Sequence, residues 1–297
     1  MTQVKNDARI AINNILYLTD FSQPSEAALP FAVSIAREYG AKVYAFHVLI
    51  PAVYTYTTPE TAAAVLDAQE DDALANMQRV KAQLGGLAHE TVVERHTGVW
   101  PALEGAIKEY AIDLIVVGTH GRTGAQKLLM GSVPEEIFRR SHVPVLTIGP
   151  FEKRGTHRGA KFRHVLFATD FSEDSLAAAG YALSMAQENE ARLTLLHVMK
   201  EPEAMDKTAE DRISSANFRL HEIVPEAAES WCRPDAVVRF GTAADRILEA
   251  AKERDVDLIV LGVRGSRGVS GAATHLERAT AHKVVAHALC PVLTVRG

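Results

Sequence analysis

Short aliphatic runs alternate along the chain with longer stretches whose apolar residues recur at helical spacing. In the first half the pattern predicts strands over Ile15–Leu18, Lys42–Leu49, Thr91–Arg95, Leu114–Val117 and Val145–Ile148. It predicts helices between them, after a cap at Ser22 and over Asp67–Leu84, Pro101–Tyr110 and Pro134–Arg140. This alternation is typical of α/β proteins with a mainly parallel sheet, helices on both faces and a Rossmann-like, doubly wound order.

The same pattern occurs twice in the chain. Residues 14–48 reappear as residues 164–198 with fifteen of 35 positions identical, including Thr-Asp-Phe-Ser at Thr19–Ser22 and Thr169–Ser172. Two later blocks, DLIVVGTHGRTG and PVLT, return in the same order as DLIVLGVRGSRG and PVLT. The sequence therefore predicts two copies of one domain, residues 1–150 and 163–297, joined by a basic linker over residues 151–162.

Polar residues stand where the predicted strands end. Thr19 and Asp20 close the first strand, Val48 lies at the end of the second, and Gly118 follows Val117 on the fourth. Parallel sheets of this kind bind ligands beyond the carboxyl ends of their strands. The Asp20 carboxylate could accept hydrogen bonds from a base or ribose there, or simply be a polar strand end. Its repetition in the second copy agrees with both interpretations.

A glycine-rich loop follows the fourth strand, with the spacing Gly-x2-Gly-x9-Gly-Ser from Gly118 through Gly121 to Gly131 and Ser132. Glycines let backbone amides approach an anion, and a helix N-terminus presents unpaired N–H groups to it. Arg122 could add a charge-assisted contact. The spacing is neither GxGxxG nor the Walker pattern. The alternative is that the glycines form turns and Ser132 opens a capping box, and one helix end can serve both purposes.

Composition narrows the class of protein. The chain is 47% apolar and 23% charged with a net charge of −5, which indicates a globular protein and gives no reason to expect nucleic-acid binding. No window approaches the about 18 apolar residues of a membrane span, and the N-terminus lacks an apolar signal core. The two cysteines, Cys232 and Cys290, have no CxxC spacing, so we expect a cytoplasmic protein in which they are buried hydrophobes.

The histidines do not predict a metal or catalytic site. His120 is interpreted as a loop side chain. His275, His282 and His287 lack the i, i+4 spacing of a helical metal pair and are predicted to lie on the surface of a final helix. No metal ligand and no catalytic residue is assigned.

The Thr-Asp-Phe-Ser strand end, the DLIVVGTHGRTG segment, the glycine loop and the closing VPVLTI strand together resemble the universal stress protein family. The resemblance covers nearly the whole chain as a tandem pair. It implies five-stranded α/β domains that often bind ATP or AMP, with Mg²⁺ accompanying ATP. It also implies dimerisation through the last strands, which a tandem chain can achieve as an internal pseudo-dimer; a homodimer is an alternative. The residues assigned to the nucleotide are Thr19, Asp20, Val48, Val117, Gly118, Gly121, Arg122, Gly131, Ser132 and Val133.

The second copy departs from this pattern at the phosphate end. Its matching residues are Asp170, Val198, Leu261, Gly262 and Gly265. In place of Gly-Ser stand His275-Leu276 or, aligned backward from the closing strand, Arg278-Ala279. Residues Gly268, Ser270, Gly271 and Thr274 are an alternative anion loop. We therefore expect a weak or empty second site.

Three functions follow from these features. The first is a nucleotide-dependent regulator of a stress response. The second is a slow ATPase, against which stand the lack of a Walker lysine, of a metal carboxylate beside the loop and of a repeated acid–base pair. The third is a partner-binding scaffold that has lost nucleotide binding, at least in the second copy, and acts only through partners. The intact first loop favours the first function.

Overall fold

The computed structural model describes most of the chain. The described residues are 10–51, 59–119, 132–149, 161–201, 207–226, 228, 231, 234–263 and 272–297. Within them, the side chains of residues 59, 60, 62, 132 and 272–279 are left out of the description. Residues 151–160 of the predicted linker and Cys232 lie outside the described residues.

Contacts divide the described chain into two units, and the first runs from residue 11 to residue 143. Its strands are β1 (Asn14–Leu18), β2 (Lys42–Leu49), β3 (His89–Arg95) and β4 (Leu114–Gly118). Its helices are α1 (Gln23–Tyr39), α2 (Pro59–Gln83), α3 (Val99–Glu109) and α4 (Ser132–Arg140). The strands are parallel neighbours in the order β3-β2-β1-β4. Each strand of the sequence prediction is present, and α2 begins earlier than predicted.

Among the described residues, the second unit comprises Ile10 and the residues from 144 onward. Its strands are β5 (Val145–Ile148), β6 (His164–Ala168), β7 (Arg192–Met199), β8 (Asp235–Phe240), β9 (Leu258–Val263) and β10 (Val292–Arg296). Its helices are α5 (Glu173–Ala177), α6 (Ala179–Glu188), α7 (Lys207–His221), α8 (Ala243–Glu253) and α9 (Ala272–His287). The order is β5-β10-β9-β6-β7-β8, parallel except for β5. The predicted α/β class with a mainly parallel sheet is confirmed.

Helix α1 shows how local sequence builds these layers. Ser22 precedes it in an extended conformation, and Gly40 ends it at a φ of 68°, in the left-handed region that glycine adopts without strain. The apolar residues predicted to face the sheet are all buried: Ala28, Phe31, Ala32 and Ile35. The helix is therefore held by its apolar face on the sheet.

β5 pairs antiparallel with β10, with Val145 opposite Thr294 and Thr147 opposite Val292. In the repeat, β5 is the closing strand of the first copy and β10 that of the second. The repeat assigned β5 to the first copy, whereas contacts group it with the second unit, in which it pairs with β10. In the same unit Cys290 is buried, as predicted.

Candidate functional site

The strand order of the first unit reverses at β1. This strand pairs with β2 on one side and β4 on the other. The chain first passes to β2 and β3 and then returns across to β4. In such sheets the ligand crevice lies beyond the carboxyl ends at the reversal. Asp20, which follows β1, and Gly118, which ends β4, flank this crevice.

A tight turn orients Asp20 at this edge. Phe21 has a φ of 60°, in the left-handed region that a phenylalanine rarely adopts. The turn brings Ser22 back, so that its amide and hydroxyl both donate to Asp20 Oδ1, at 3.0 and 2.6 Å. The Phe21 amide donates to Thr19 Oγ1 at 3.0 Å. The half-buried carboxylate is therefore held in place by a hydrogen-bonded turn.

Thr19 ties this turn to β2 and to α1. The Thr19 side chain is buried, and its hydroxyl lies 3.1 Å from that of Ser25. His47 Nδ1 lies 2.7 Å from the Thr19 carbonyl oxygen, and since a carbonyl only accepts, Nδ1 donates the proton. The His47 and Phe21 rings are in contact, with centroids 4.4 Å apart. These contacts join the carboxyl ends of β1 and β2 into one rigid edge.

Gly118 has a packing role that the sequence did not reveal. A Cβ built on Gly118 would lie 2.4 Å from the Pro24 carbonyl oxygen and 3.1 Å from the Ser25 amide nitrogen. Both atoms belong to the backbone of the first turn of α1. The missing side chain thus allows α1 to approach β4 closely, directly behind the turn that holds Asp20.

The other assigned residues of the first copy are only partly described. Val48 is half-buried near the end of β2, Val117 is buried on β4, and Val133 is half-buried in the first turn of α4. Helix α4 begins at Ser132, whose side chain is outside the description. Gly121, Arg122 and Gly131 lie outside the described residues. The structure therefore brings together the nucleoside end of the predicted site, and the phosphate end stays a prediction.

The second copy repeats the turn closely. Phe171 has a φ of 65°, and the Ser172 amide and hydroxyl donate to Asp170 Oδ1 at 2.9 and 2.6 Å. Partial burial alone would raise the pKa of Asp170, but the hydrogen bonds from Ser172, Ser175 and the amide of Asp170 together outweigh it and leave the pKa below its ordinary value. Gly262 matches Gly118, since its Cβ would lie 2.3 Å from Ser175 Cα. The second copy adds the guanidinium of Arg219, 4.0 Å from the Phe171 ring centroid.

The two copies differ at the phosphate end. Leu261 is buried, and Val198 and Gly262 are half-buried at the strand edge, while Gly265 lies outside the described residues. Both segments that replace Gly-Ser, His275-Leu276 and Arg278-Ala279, fall inside α9. Amides beyond the first turn of a helix donate to the helix itself and are not available to an anion. The backbone of the second copy therefore argues against a phosphate site like the one predicted in the first copy.

The sequence prediction missed two aspartates that bind the amino-terminal ends of strands. Asp113 accepts from the amides of Asn13 and Asn14 at 2.8 and 3.0 Å, and Asp257 accepts from those of Arg163 and His164 at 2.8 and 3.1 Å. Each carboxylate fixes the start of the neighbouring central strand. Repetition of both aspartates in the DLIV blocks was the signal that could have identified them.

A family model for universal stress proteins, described as "Universal stress protein family", matches residues 11–149 and again residues 161–296. The chain belongs to the universal stress protein family. Its two matches confirm the tandem organisation. A universal stress protein of Mycolicibacterium smegmatis is 27% identical over 297 residues, covering 95% of this chain and 96% of that protein.

Other universal stress proteins match one copy or share the fold. Universal stress protein YxiE of Bacillus subtilis is 33% identical over 150 residues, which cover 46% of this chain and 99% of that protein. The crystal structure of a universal stress protein from Archaeoglobus fulgidus has a TM-score of 0.69 at 22% identity, covering 97% of this chain and 99% of that one. The comparison with the Archaeoglobus fulgidus structure shows that the two proteins share a fold.

Among the described residues of this universal stress protein, no group of three or more His, Cys, Asp or Glu side chains is arranged to hold a metal ion. In the same part of the chain, no helix has the length and apolar character needed to cross a membrane. His282 and His287 lie on α9 as predicted, and His287 is exposed.

Buried histidines should make the stability of this universal stress protein depend on pH. His164 is buried, with Nδ1 2.9 Å from the Arg254 carbonyl oxygen and Nε2 2.8 Å from the Thr194 hydroxyl. Burial lowers its pKa, assisted by Arg192 and Arg254 and opposed by the Arg254 carbonyl and by Asp257. The folded state therefore favours the neutral ring. The resulting stability is complete above the ordinary histidine pKa and is lost as pH falls through the lowered one.

We expect the urea midpoint to fall between about pH 7.5 and about pH 5 and to fall less in His164→Asn. Asparagine is the residue at the matching position of the first copy, where Asn14 Nδ2 donates to the Ala111 carbonyl oxygen at 3.2 Å. Urea unfolding of both proteins across this range is the measurement. Parallel pH profiles would show that His164 does not titrate on unfolding.

Proposed function

We propose that the first copy binds an adenine nucleotide, ATP or AMP, and that the protein acts as a nucleotide-dependent regulator of a stress response. The observation that carries this proposal is the Asp20 carboxylate, fixed by Ser22 beside the strand reversal. A carboxylate in this position accepts hydrogen bonds from ribose hydroxyls or from the base amine. Membership of the universal stress protein family supports the same function.

The proposed site has two ends. The nucleoside would contact Thr19, Asp20, Val48, Val117 and Gly118, which lie along the carboxyl edge of three neighbouring parallel strands. The phosphates would be held by amides of the glycine loop and by the start of α4, with Gly121, Arg122, Gly131, Ser132 and Val133. With ATP, Mg²⁺ would be bound by phosphate oxygens and adds charge neutralisation there.

We propose that the second copy binds nucleotide weakly or not at all. Its nucleoside end keeps the Asp170 turn, so adenosine contacts are supported there. Its phosphate end has α9 where the first copy has the Gly-Ser pair, which removes the amides that an anion needs. The proposal is therefore one tight nucleotide per chain.

The regulator and the ATPase differ in whether bound ATP turns over. A regulator needs only a ligand with different affinities for two states of the protein. Hydrolysis needs groups that position water and stabilise the transferred phosphoryl group, and the sequence around the loop has no Walker lysine. Measuring ADP release from protein loaded with ATP separates the two functions. A scaffold, the third candidate, would take up no nucleotide at all.

The two states between which the nucleotide would select are proposed to differ in the association of the two copies. We propose that they associate as a pseudo-dimer inside one chain, and the antiparallel pairing of β5 with β10 supports this. A sheet edge that would otherwise expose unpaired backbone groups is covered in this way. A homodimer of whole chains is the alternative, and sedimentation with and without ATP distinguishes the two arrangements.

The phosphate end of the site is tested by Gly131→Val. A valine side chain would occupy the space through which backbone amides reach phosphate, so we expect ATP affinity to fall at least about tenfold, equal to about 1.4 kcal/mol. Isothermal titration calorimetry is the measurement, and Gly271→Val in the second copy is the matched control. Equal affinity in Gly131→Val and in the unaltered protein would remove the phosphate-cradle assignment.

A further inference from the structure

We propose that Ser22 is a positioning residue of the nucleotide site: its hydroxyl fixes the Asp20 carboxylate in the orientation that receives the nucleoside. This inference rests on the proposed function. It adds a residue that acts on the ligand through Asp20 and not by touching the ligand itself.

Ser22 holds the Asp20 carboxylate with two hydrogen bonds. Two donors of one residue, the amide and the hydroxyl, converge on the same oxygen, Oδ1. Both reach it because Phe21 adopts a φ of 60° and reverses the chain between the two residues. Hydrogen bonds to an ionised acceptor are short and stronger than neutral ones, and the 2.6 Å hydroxyl contact is of this kind. The carboxylate plane is therefore set before any ligand arrives.

The usual role of a serine before a helix is to cap it, and here that role is secondary. A capping hydroxyl accepts from an amide in the first turn. The Ser25 amide lies 3.5 Å from Ser22 Oγ, at the outer limit of a hydrogen bond, whereas the bond to Asp20 measures 2.6 Å. The Ser22 backbone carbonyl accepts from the Ser25 hydroxyl and from the Glu26 amide, at 2.8 and 2.9 Å. Loss of the hydroxyl should thus disturb Asp20 more than α1.

The second copy contains the same device and provides the control. Ser172 donates to Asp170 at the same 2.6 Å, and its hydroxyl lies 3.2 Å from the Ser175 amide. Burial there would raise the pKa of Asp170, but the hydrogen bonds from Ser172, Ser175 and the amide of Asp170 together keep that pKa below its ordinary value. The same two donors of a serine thus hold the aspartate in both copies.

The test compares Ser22→Ala, Ser22→Thr and Ser172→Ala with the unaltered full chain, using ATP as the probe in calorimetric titrations. We expect Ser22→Ala to bind ATP about tenfold more weakly. Threonine keeps the hydroxyl and should restore the affinity, and Ser172→Ala should leave the tight site unchanged. In the Asp20→Ala background, Ser22→Ala should cause no further loss of affinity, because the hydroxyl acts through Asp20. A role in capping alone would add the same loss in both backgrounds.

Three results would overturn the inference. The first is equal ATP affinity in Ser22→Ala and the unaltered protein while Asp20→Ala weakens binding, which leaves the proposed function standing and removes the role of Ser22. The second is an affinity loss that threonine does not reverse. The third is an unaltered protein that binds no nucleotide, which overturns the proposed function together with this inference. Urea unfolding of Ser22→Ala and Ser172→Ala shows whether the two substitutions disturb their helices equally.

Discussion

Gly118→Ala should destabilise the first unit by about 3 kcal/mol. The added Cβ would lie 2.4 Å from the Pro24 carbonyl oxygen and 2.7 Å from its carbonyl carbon. These atoms belong to the backbone, so a rotamer change cannot relieve the overlap and α1 must move away from β4. Because the Asp20 turn is continuous with α1, ATP affinity should fall in the same variant. Urea unfolding measures the first effect and calorimetry the second.

Gly105→Ala is the matched control for this substitution. Gly105 is exposed within α3, and a Cβ built on it has no heavy atom within 4 Å. Alanine should stabilise this helix by about 0.5–1 kcal/mol. Gly262→Ala, whose Cβ would lie 2.4 Å from the Asp174 carbonyl oxygen, should destabilise the second unit as Gly118→Ala does the first. A Gly118→Ala protein that unfolds at the same urea concentration as Gly105→Ala would refute the close-approach explanation.

Asp20→Ala should weaken ATP binding by about tenfold to a hundredfold, because it removes a charged acceptor at the nucleoside end. Since the lost contact is with the nucleoside, binding of AMP and of adenosine should weaken by the same factor. Gly131→Val should differ from Asp20→Ala, because it should weaken the binding of ATP much more than the binding of adenosine. The comparison of three ligands on two variants therefore assigns each end of the site.

Asp170→Ala is the control for Asp20→Ala, since the two aspartates lie in the same turn of the two copies. We expect it to leave the tight ATP site unchanged. Both variants lose the same hydrogen bonds from a serine, so their losses of stability should be similar. An equal loss of ATP affinity in both variants would show that the two copies share the nucleotide or bind it equally well.

The strand edge could be predicted from the sequence because its residues are fixed by short-range patterns. Asp20 follows a buried aliphatic run, and the order of strands and helices alone places that run beside Gly118. The hydroxyl network of Thr19, Ser22 and Ser25 was not predicted, although all three residues recur in the second copy. It depends on the positive φ of Phe21, a conformation that nothing in the residue type indicates.

Three other features could not be predicted from the sequence for physical reasons. Position 118 requires glycine because the backbone of Pro24, which is far away along the chain, lies close to it. The spacing of residues in the sequence does not reveal such a close approach. The repeat assigns β5 to the first copy, whereas contacts group it with the second unit, in which it pairs with β10. The change at the phosphate end of the second copy was visible as lost Gly-Ser. The sequence did not show that this position lies inside helix α9.

The central claim is that the first copy holds one adenine nucleotide. Native mass spectrometry of the full chain titrated with ATP, followed by identification of the ligand released on denaturation, tests it most directly. We predict a mass increase of one adenine nucleotide per chain at low ATP concentration, lost in Asp20→Ala and kept in Asp170→Ala. A chain that takes up no nucleotide at saturating ATP, or that takes up two with equal affinity, would contradict this account.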